Sequence, residues 1–249
     1  MSNYNNFSPF YDLLTYDVNY KKRAEYIMNI FKEKDRCPSL LLDFACGTGN
    51  FSCLLAKMGI DVIGVDMSEG MLSLAQEKNR NLKKPVLYLC QKGSELDLFG
   101  TVDGAISCLD SLNHITDYSE LKETFKKISL FLEPERLFIF DMNTVYKHKE
   151  ILGNSSYKKK RAGVECFWQN RLEEDGLTVE ITLELTYKTG LFKKQTVTEV
   201  IRERAYTEDE IKEALNEAGL LLIEVYGENT FSAPTARSQR NIYVARKVK

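Results

Sequence analysis

The run Leu40-Leu-Leu-Asp43-Phe-Ala-Cys-Gly47-Thr-Gly49-Asn50 constrains the fold more than any other stretch of this chain. A short apolar segment carries an acid near its end and enters a two-glycine turn. An amphipathic segment over 51–58 follows at once. That order predicts a buried parallel strand, a tight loop and the first turn of a helix. Glycine has no side chain to keep a ligand away, so such a loop lets a molecule approach bare backbone. The expectation is a nucleotide-like cofactor.

The pattern recurs downstream. A strand over 62–65 precedes a helix capped by Ser68. A strand over 86–90 follows, and one over 102–109 leads to a helix over 119–132. A strand over 137–140 ends at Asp141. Strands alternating with helices argue for a parallel sheet covered on both faces. So few units favour an open sheet over a closed barrel, which needs eight.

After Asp141 the rhythm changes. Val179, Ile181, Leu183, Leu185 and Tyr187 alternate with polar residues, the period of a half-buried antiparallel strand. Strands over 164–172 and 195–204 flank it across turn signals. A helix over 207–218 opens on a capping box, Thr207 with Glu210, and ends at Gly219. Strands over 220–226 and 241–248 finish the chain.

The 249 residues thus read as an α/β fold. Residues 39–152 and 205–249 make an open, doubly wound, mostly parallel seven-stranded sheet of Rossmann-like type. Residues 153–204 insert an antiparallel three-stranded meander. Residues 1–38 form an aromatic helical cap, with Tyr4, Phe7, Phe10, Tyr11 and Tyr16 before a helix over 20–31.

A net charge of -2 gives no electrostatic reason for a nucleic-acid partner, which favours a basic face. The local run Lys158-Lys-Lys-Arg161 reads as a solvated loop. No apolar run nears the ~18 residues of a membrane helix, and no leader is readable. Cysteines 37, 46, 53, 90, 108 and 166 form no CxxC pair. They read as small core residues of a reduced cytoplasmic protein without a metal site.

Gly47-x-Gly49 alone does not fix the cofactor. A dinucleotide fold expects a third glycine three positions on, where this chain has Ser52. Asp66 ends the second strand about twenty residues beyond the glycines, where a carboxylate accepts hydrogen bonds from ribose hydroxyls. An N-capping role beside Ser68 is the structural alternative.

Asp43-x-Ala-Cys-Gly-Thr-Gly-Asn resembles motif I of the class I S-adenosylmethionine-dependent methyltransferases, and Val65-Asp66-Met-Ser-x-x-Met71-Leu resembles their acidic second strand. Leu109-Asp-Ser-Leu-Asn-His114, Tyr11-Asp12 and the segment Arg204 to Ile211 are similar to a small-molecule branch. That branch includes aminosugar N-methyltransferases and bacterial relatives. The resemblance implies S-adenosylmethionine as cofactor and a nitrogen or oxygen of a small molecule as methyl acceptor. It places Asp43, Ala45, Cys46, Gly47 and Gly49 along the methionine portion, Asp66 on the ribose, Met67 on the adenine, and Leu109 where methyl meets acceptor. Tyr20 contacts the cofactor from the cap, and Gln91 serves the adenine end. His114 and Tyr11 are the catalytic candidates.

Two departures stand out. Lys92 occupies the place where the family usually has an acid near the adenine amine, which a lysine cannot accept from. Glu133-Pro-Glu-Arg136 replaces a Pro-Gly-Gly turn. His148 reads as surface, and Arg237 and Arg240 as solvated residues able to hold an anionic acceptor. An NAD-dependent oxidoreductase and a cofactor-binding, non-catalytic relative are the alternatives. Monomer and homodimer both remain open.

Overall fold

The computed structural model describes residues 7–190 and 193–248. Residues 1–6 of the cap, Tyr4 among them, lie outside it. Seven strands form the main sheet: β1 (Leu40–Phe44), β2 (Asp61–Asp66), β3 (Leu87–Cys90), β4 (Ala105–Ser107), β5 (Leu137–Asn143), β10 (Leu220–Gly227) and β11 (Arg240–Lys247). Their order is β10-β11-β5-β4-β1-β2-β3, with β11 antiparallel to both its neighbours and the rest parallel. The order reverses between β1 and β4, the place where open α/β sheets gather ligands at their carboxyl ends.

Helices cover both faces. On one side α2 (Tyr20–Lys34) and α3 (Asn50–Lys57) bury Ile30, Phe31 and Leu55 against Ile139 and Val244. On the other, α5 (Tyr118–Phe131) and α6 (Glu208–Glu217) bury Phe125, Ile128 and Leu215 against Phe138 and Phe140. Every residue of β5 is buried, as expected for a strand covered on both faces. Helix α4 (Glu69–Asn79) starts on Ser68, whose Oγ accepts from Met71 N at 3.3 Å. The Thr207–Glu210 capping box of α6 forms in both directions.

The second sheet holds four strands, not three: β6 (Ser156–Arg161), β7 (Val164–Leu172), β8 (Thr178–Lys188) and β9 (Lys194–Arg204). The extra strand is the run Lys158-Lys-Lys-Arg161. It is solvated, but as an edge strand rather than a loop. Lysines on an edge hide the strand signal and discourage pairing with another chain. Val179, Ile181, Leu183 and Leu185 form the buried face of β8 and pack with Phe7, which precedes the cap helix α1 (Ser8–Leu14), and with Leu14 at its end. Helix α1 therefore contacts both the antiparallel sheet and Met71 of α4.

Two further expectations are corrected. The strand over 102–109 shrinks to β4, because Leu109 and Asp110 adopt positive φ and turn the chain. Cys37 and Cys90 are exposed and Cys46 is half-buried, so only Cys53, Cys108 and Cys166 are core residues. No helix among the described residues is long and apolar enough to cross a membrane.

Candidate functional site

The carboxyl ends of β1, β2 and β4 open into a cavity of about 490 Å³. A smaller one of about 30 Å³ adjoins it, and Tyr11, Ala45, Gly47, Leu109 and Ser111 border both. The two glycines of the first loop have different tasks. Gly47 has φ +54°, and a Cβ there would meet nothing within 4 Å. Its bare face is open to the cavity. Gly49 has φ +72°, and a Cβ there would collide with the Tyr88 hydroxyl and come within 2.9 Å of Ala75. Gly49 is thus demanded by close packing at the start of α3, and it lines neither cavity.

Asp66 fixes the loop from the tip of β2. One carboxylate oxygen accepts from Gly47 N at 2.8 Å and the other from Ser68 N at 2.9 Å. Asp66 borders the cavity, and a carboxylate with about four lone pairs can accept more than these two bonds. Burial raises its pKa above the ordinary carboxylate range, against the pull of those two N–H groups. Met67, 40% exposed, lies beside it on the wall.

Asp43 sits deeper and borders only the smaller cavity, with Tyr20, Cys46 and Thr48. Burial pushes its pKa up to about 7, and a hydrogen bond from Ser52 opposes that rise. Ser52 stands where a dinucleotide fold has its third glycine. Here its hydroxyl satisfies the buried acid, a service glycine cannot supply.

The floor of the cavity is held by an acid that the sequence pointed to without a role. Asp141 accepts from Leu109 N at 2.8 Å and from Asp110 N at 2.6 Å. Both residues have left-handed backbone, φ 62° and 54°, a conformation that non-glycine residues adopt at a cost. Arg240 is buried, not solvated. It bonds Asp110 at 2.5 Å and lies 3.6 Å from Asp141 and 3.7 Å from Glu228. Burial raises the Asp110 pKa, but Arg240 and Lys147 outweigh it and hold the carboxyl below its usual range. Arg237 stays exposed.

The cap is pinned over the glycine loop. Asp12 accepts from Thr48 Oγ1 at 2.6 Å and Asn50 Nδ2 at 2.8 Å, and pairs with Lys78 at 2.6 Å. Tyr11, the preceding residue, is thereby set against both cavities. Burial raises its phenol pKa well above normal, so Tyr11 is a hydrogen-bond donor and wall rather than a base.

The antiparallel sheet closes the far side with Glu180, Val200, Ile201 and Arg202. Glu180 pairs with Arg202 at 3.0 Å. Lys92 borders the cavity but is paired with Glu120 at 2.9 Å. The Gln91 amide is committed to the Asp97 main chain in both directions, at 3.0 and 3.1 Å. His114 lines the cavity, and its Nε2 lies 3.8 Å from Glu203 of β9. His148 is fully buried rather than on the surface, with Nε2 3.7 Å from the other oxygen of Glu203.

Sequence reasoning missed Glu203, gave Ser52, Asp110 and Asp141 no role of their own, and put Arg240 in solvent. The acid that ends the strand over 137–140 was a readable signal for Asp141. Glu203 and Arg240 lie on distant strands, with no local pattern to mark them.

Comparisons with known proteins find relatives in sequence and in structure. The sequence family described as "Methyltransferase domain" matches residues 41–135. The YqeM protein of Bacillus subtilis (strain 168) is 32% identical over 247 residues, covering 99% of this chain and 98% of that one. A crystal structure of an S-adenosylmethionine-dependent methyltransferase from Clostridium acetobutylicum ATCC 824 shares 31% identity, with TM-score 0.88 and 99% of both chains covered. The sugar N-methyltransferase KedS8 from Streptoalloteichus sp ATCC 53650 shares the fold at 18% identity, with TM-score 0.77 and 96% and 93% of the two chains covered.

Proposed function

This chain belongs to the S-adenosylmethionine-dependent methyltransferases, and we propose that it methylates a nitrogen or oxygen of a small polar acceptor. The family replaces the nicotinamide alternative. One observation carries the acceptor reading. A single cavity of about 490 Å³ has the Gly47 loop and Asp66 on one wall and Glu180, Val200, Ile201 and Arg202 on the other. Its volume suits small-molecule sites, about 300–1,000 Å³. Residues 39–152 with 205–249 would hold the cofactor, 153–204 would face the acceptor, and the cap of residues 1–38 would close the site.

When bound, S-adenosylmethionine supplies a methyl group on a positively charged sulfur. The protein's tasks are to align an acceptor with that group and to exclude water. The residues present fit the cofactor. The open face of Gly47 makes a backbone cradle, and the spare lone pairs of Asp66 suit ribose hydroxyls. Met67 offers a thioether surface for the adenine. Asp43, Ala45, Cys46 and Thr48, with Tyr20 above them, would border the methionine portion. Gln91 and Lys92, held by Asp97 and Glu120, would shape the adenine end. Leu109 borders both cavities, where the two substrates would meet, and His114 and Tyr11 would orient the acceptor.

The test is a panel of small amines and alcohols with methyl-labelled S-adenosylmethionine, read by mass spectrometry. Label on a small acceptor is the expected result. Label appearing only on protein or nucleic acid would overturn the small-molecule reading.

A further inference from the structure

The chain has two histidines, and both face one buried carboxylate. Glu203 projects from β9 with 5% of its surface exposed. Its Oε1 lies 3.8 Å from His114 Nε2, and its Oε2 lies 3.7 Å from His148 Nε2. Asn143 Nδ2 donates to the same Oε2 at 3.1 Å. His148 Nδ1 is 2.8 Å from the carbonyl oxygen of Leu177. A carbonyl only accepts, so Nδ1 carries the hydrogen and Nε2 of the neutral ring is a lone pair. That lone pair points at a carboxylate and has no hydrogen-bond partner among the described residues. Burial also lowers the His148 pKa, against the pull of Glu203. The Glu203–His148 pair is therefore one proton short of a charge-assisted hydrogen bond.

The surrounding charges agree. Asp110, Asp141, Glu203 and Glu228 meet Arg23, Lys147 and Arg240. One carboxylate charge in this group has no permanent cation against it. Asp66 adds a further negative charge on the cavity side of His114. Such a neighbourhood favours a cation entering the cavity and a proton passing behind it.

We propose that Glu203 and His148 form a proton relay behind His114, which makes the acceptor an amine delivered as its ammonium. The proposal rests on the methyl-transfer reading above and narrows it. An ammonium has no lone pair to give until it loses a proton, so a base of imidazole type is useful. The acceptor N–H bond breaks, its electron pair stays on nitrogen, and the proton goes to His114 Nδ1. The Nε2 hydrogen of the same ring passes to Glu203 Oε1. Rotation of the Glu203 carboxyl about Cγ–Cδ then turns that protonated oxygen to His148 Nε2, which takes the hydrogen and leaves the carboxylate as it began. The balance is one proton moved from acceptor to His148 and a neutral His114 left as its Nδ1–H tautomer. Small side-chain shifts bring the 3.7 and 3.8 Å separations to hydrogen-bond distance. Glu203 and His148 touch no substrate and act through His114.

Because there are only two histidines, histidine-labelled NMR reads the relay without an acceptor. In the wild-type protein, protonation of one ring should displace the resonances of the other, as coupled sites require. His148 should keep its Nδ1 hydrogen throughout. In Glu203→Gln the coupling should vanish. Glu203→Asp should keep the coupling, and both variants should bind S-adenosylhomocysteine within about twofold of wild type, which shows that they fold. Rings that titrate independently in the wild type, or curves unchanged in Glu203→Gln, would overturn the relay. Once the labelled-methyl panel identifies an amine, Glu203→Gln should lower kcat tenfold or more with KM for S-adenosylmethionine unchanged. An alcohol as the methylated product would overturn the narrowing to amines. Coupled histidines with no small acceptor methylated would sink the small-molecule reading and leave the coupling standing.

Discussion

Asp141 is the most informative single position to perturb. Its two carboxylate oxygens hold Leu109 N and Asp110 N at 2.8 and 2.6 Å. Those residues sit at φ 62° and 54°. Left-handed backbone costs a non-glycine residue roughly 1–2 kcal/mol, so the pair stores about 2–4 kcal/mol. Two hydrogen bonds to a charged acceptor contribute about 1.5–3 kcal/mol each, enough to hold that strain with little to spare. Asp141→Asn keeps one acceptor and turns an amide N–H₂ toward a backbone N–H. The strain should then win, and the turn should relax. Leu109 and Ser111 border both cavities, so cofactor binding should weaken about tenfold to a hundredfold, the equivalent of about 1.4–2.8 kcal/mol. Calorimetry with S-adenosylhomocysteine reads the affinity, and urea unfolding reads the stability. Leu109→Gly supplies the control, because glycine adopts this backbone freely. The destabilisation caused by Asp141→Asn should be about 1–2 kcal/mol smaller in the Leu109→Gly background. Strictly additive effects in that double-mutant cycle would refute the strain argument.

Asp66→Ala should weaken cofactor binding by about 1–3 kcal/mol, because it removes the charged acceptor at the loop that Gly47 opens; equal affinity by calorimetry would remove Asp66 from the ribose. Asp43 should make the free protein less stable as pH rises. Its folded-state pKa of about 7 lies above the unfolded value, so its contribution is complete below about pH 4 and is lost by about pH 7, up to about 4 kcal/mol. Urea midpoints across that window should flatten in Asp43→Asn, and an unchanged slope would contradict the assignment. Glu135 occupies the third position of the turn Glu133–Arg136 with φ 66°, closed by Arg136 N to Glu133 O at 3.1 Å. Glu135→Gly should stabilise the protein by about 0.5–1 kcal/mol, with Tm up by a few degrees and methyl transfer unaffected. A lower Tm would show that the carboxylate makes a contact worth more than the strain.

Much of the frame was legible from periodicity. The alternation of apolar strands and amphipathic helices reflects a sheet buried on both faces, and the period-2 run on β8 reflects one buried on a single face. Edge strand β6 escaped because lysine and arginine side chains carry no burial signal. In the site, local motifs revealed what local backbone determines: the glycine loop, Asp66 and the Ser68 cap. What they could not reveal depends on long-range proximity. Gly49 meets Tyr88 across β2, Ser52 meets Asp43 across the loop, and Arg240 meets Asp110 from a strand far along the chain. His148 looked exposed because its neighbours are polar, yet the π-helical turn Lys147–Leu152 carries it under the antiparallel sheet.

The central claim is that one cavity joins cofactor and acceptor, with the glycine loop on one wall and the antiparallel sheet on the other. A crystal structure with S-adenosylhomocysteine tests it most directly. The account predicts ribose hydroxyls on Asp66, adenine against Met67, the amino-acid end beside Asp43 and Cys46, and the sulfur facing the space between His114 and Val200. A sulfur turned away from that space, or a ribose that avoids Asp66, would contradict it.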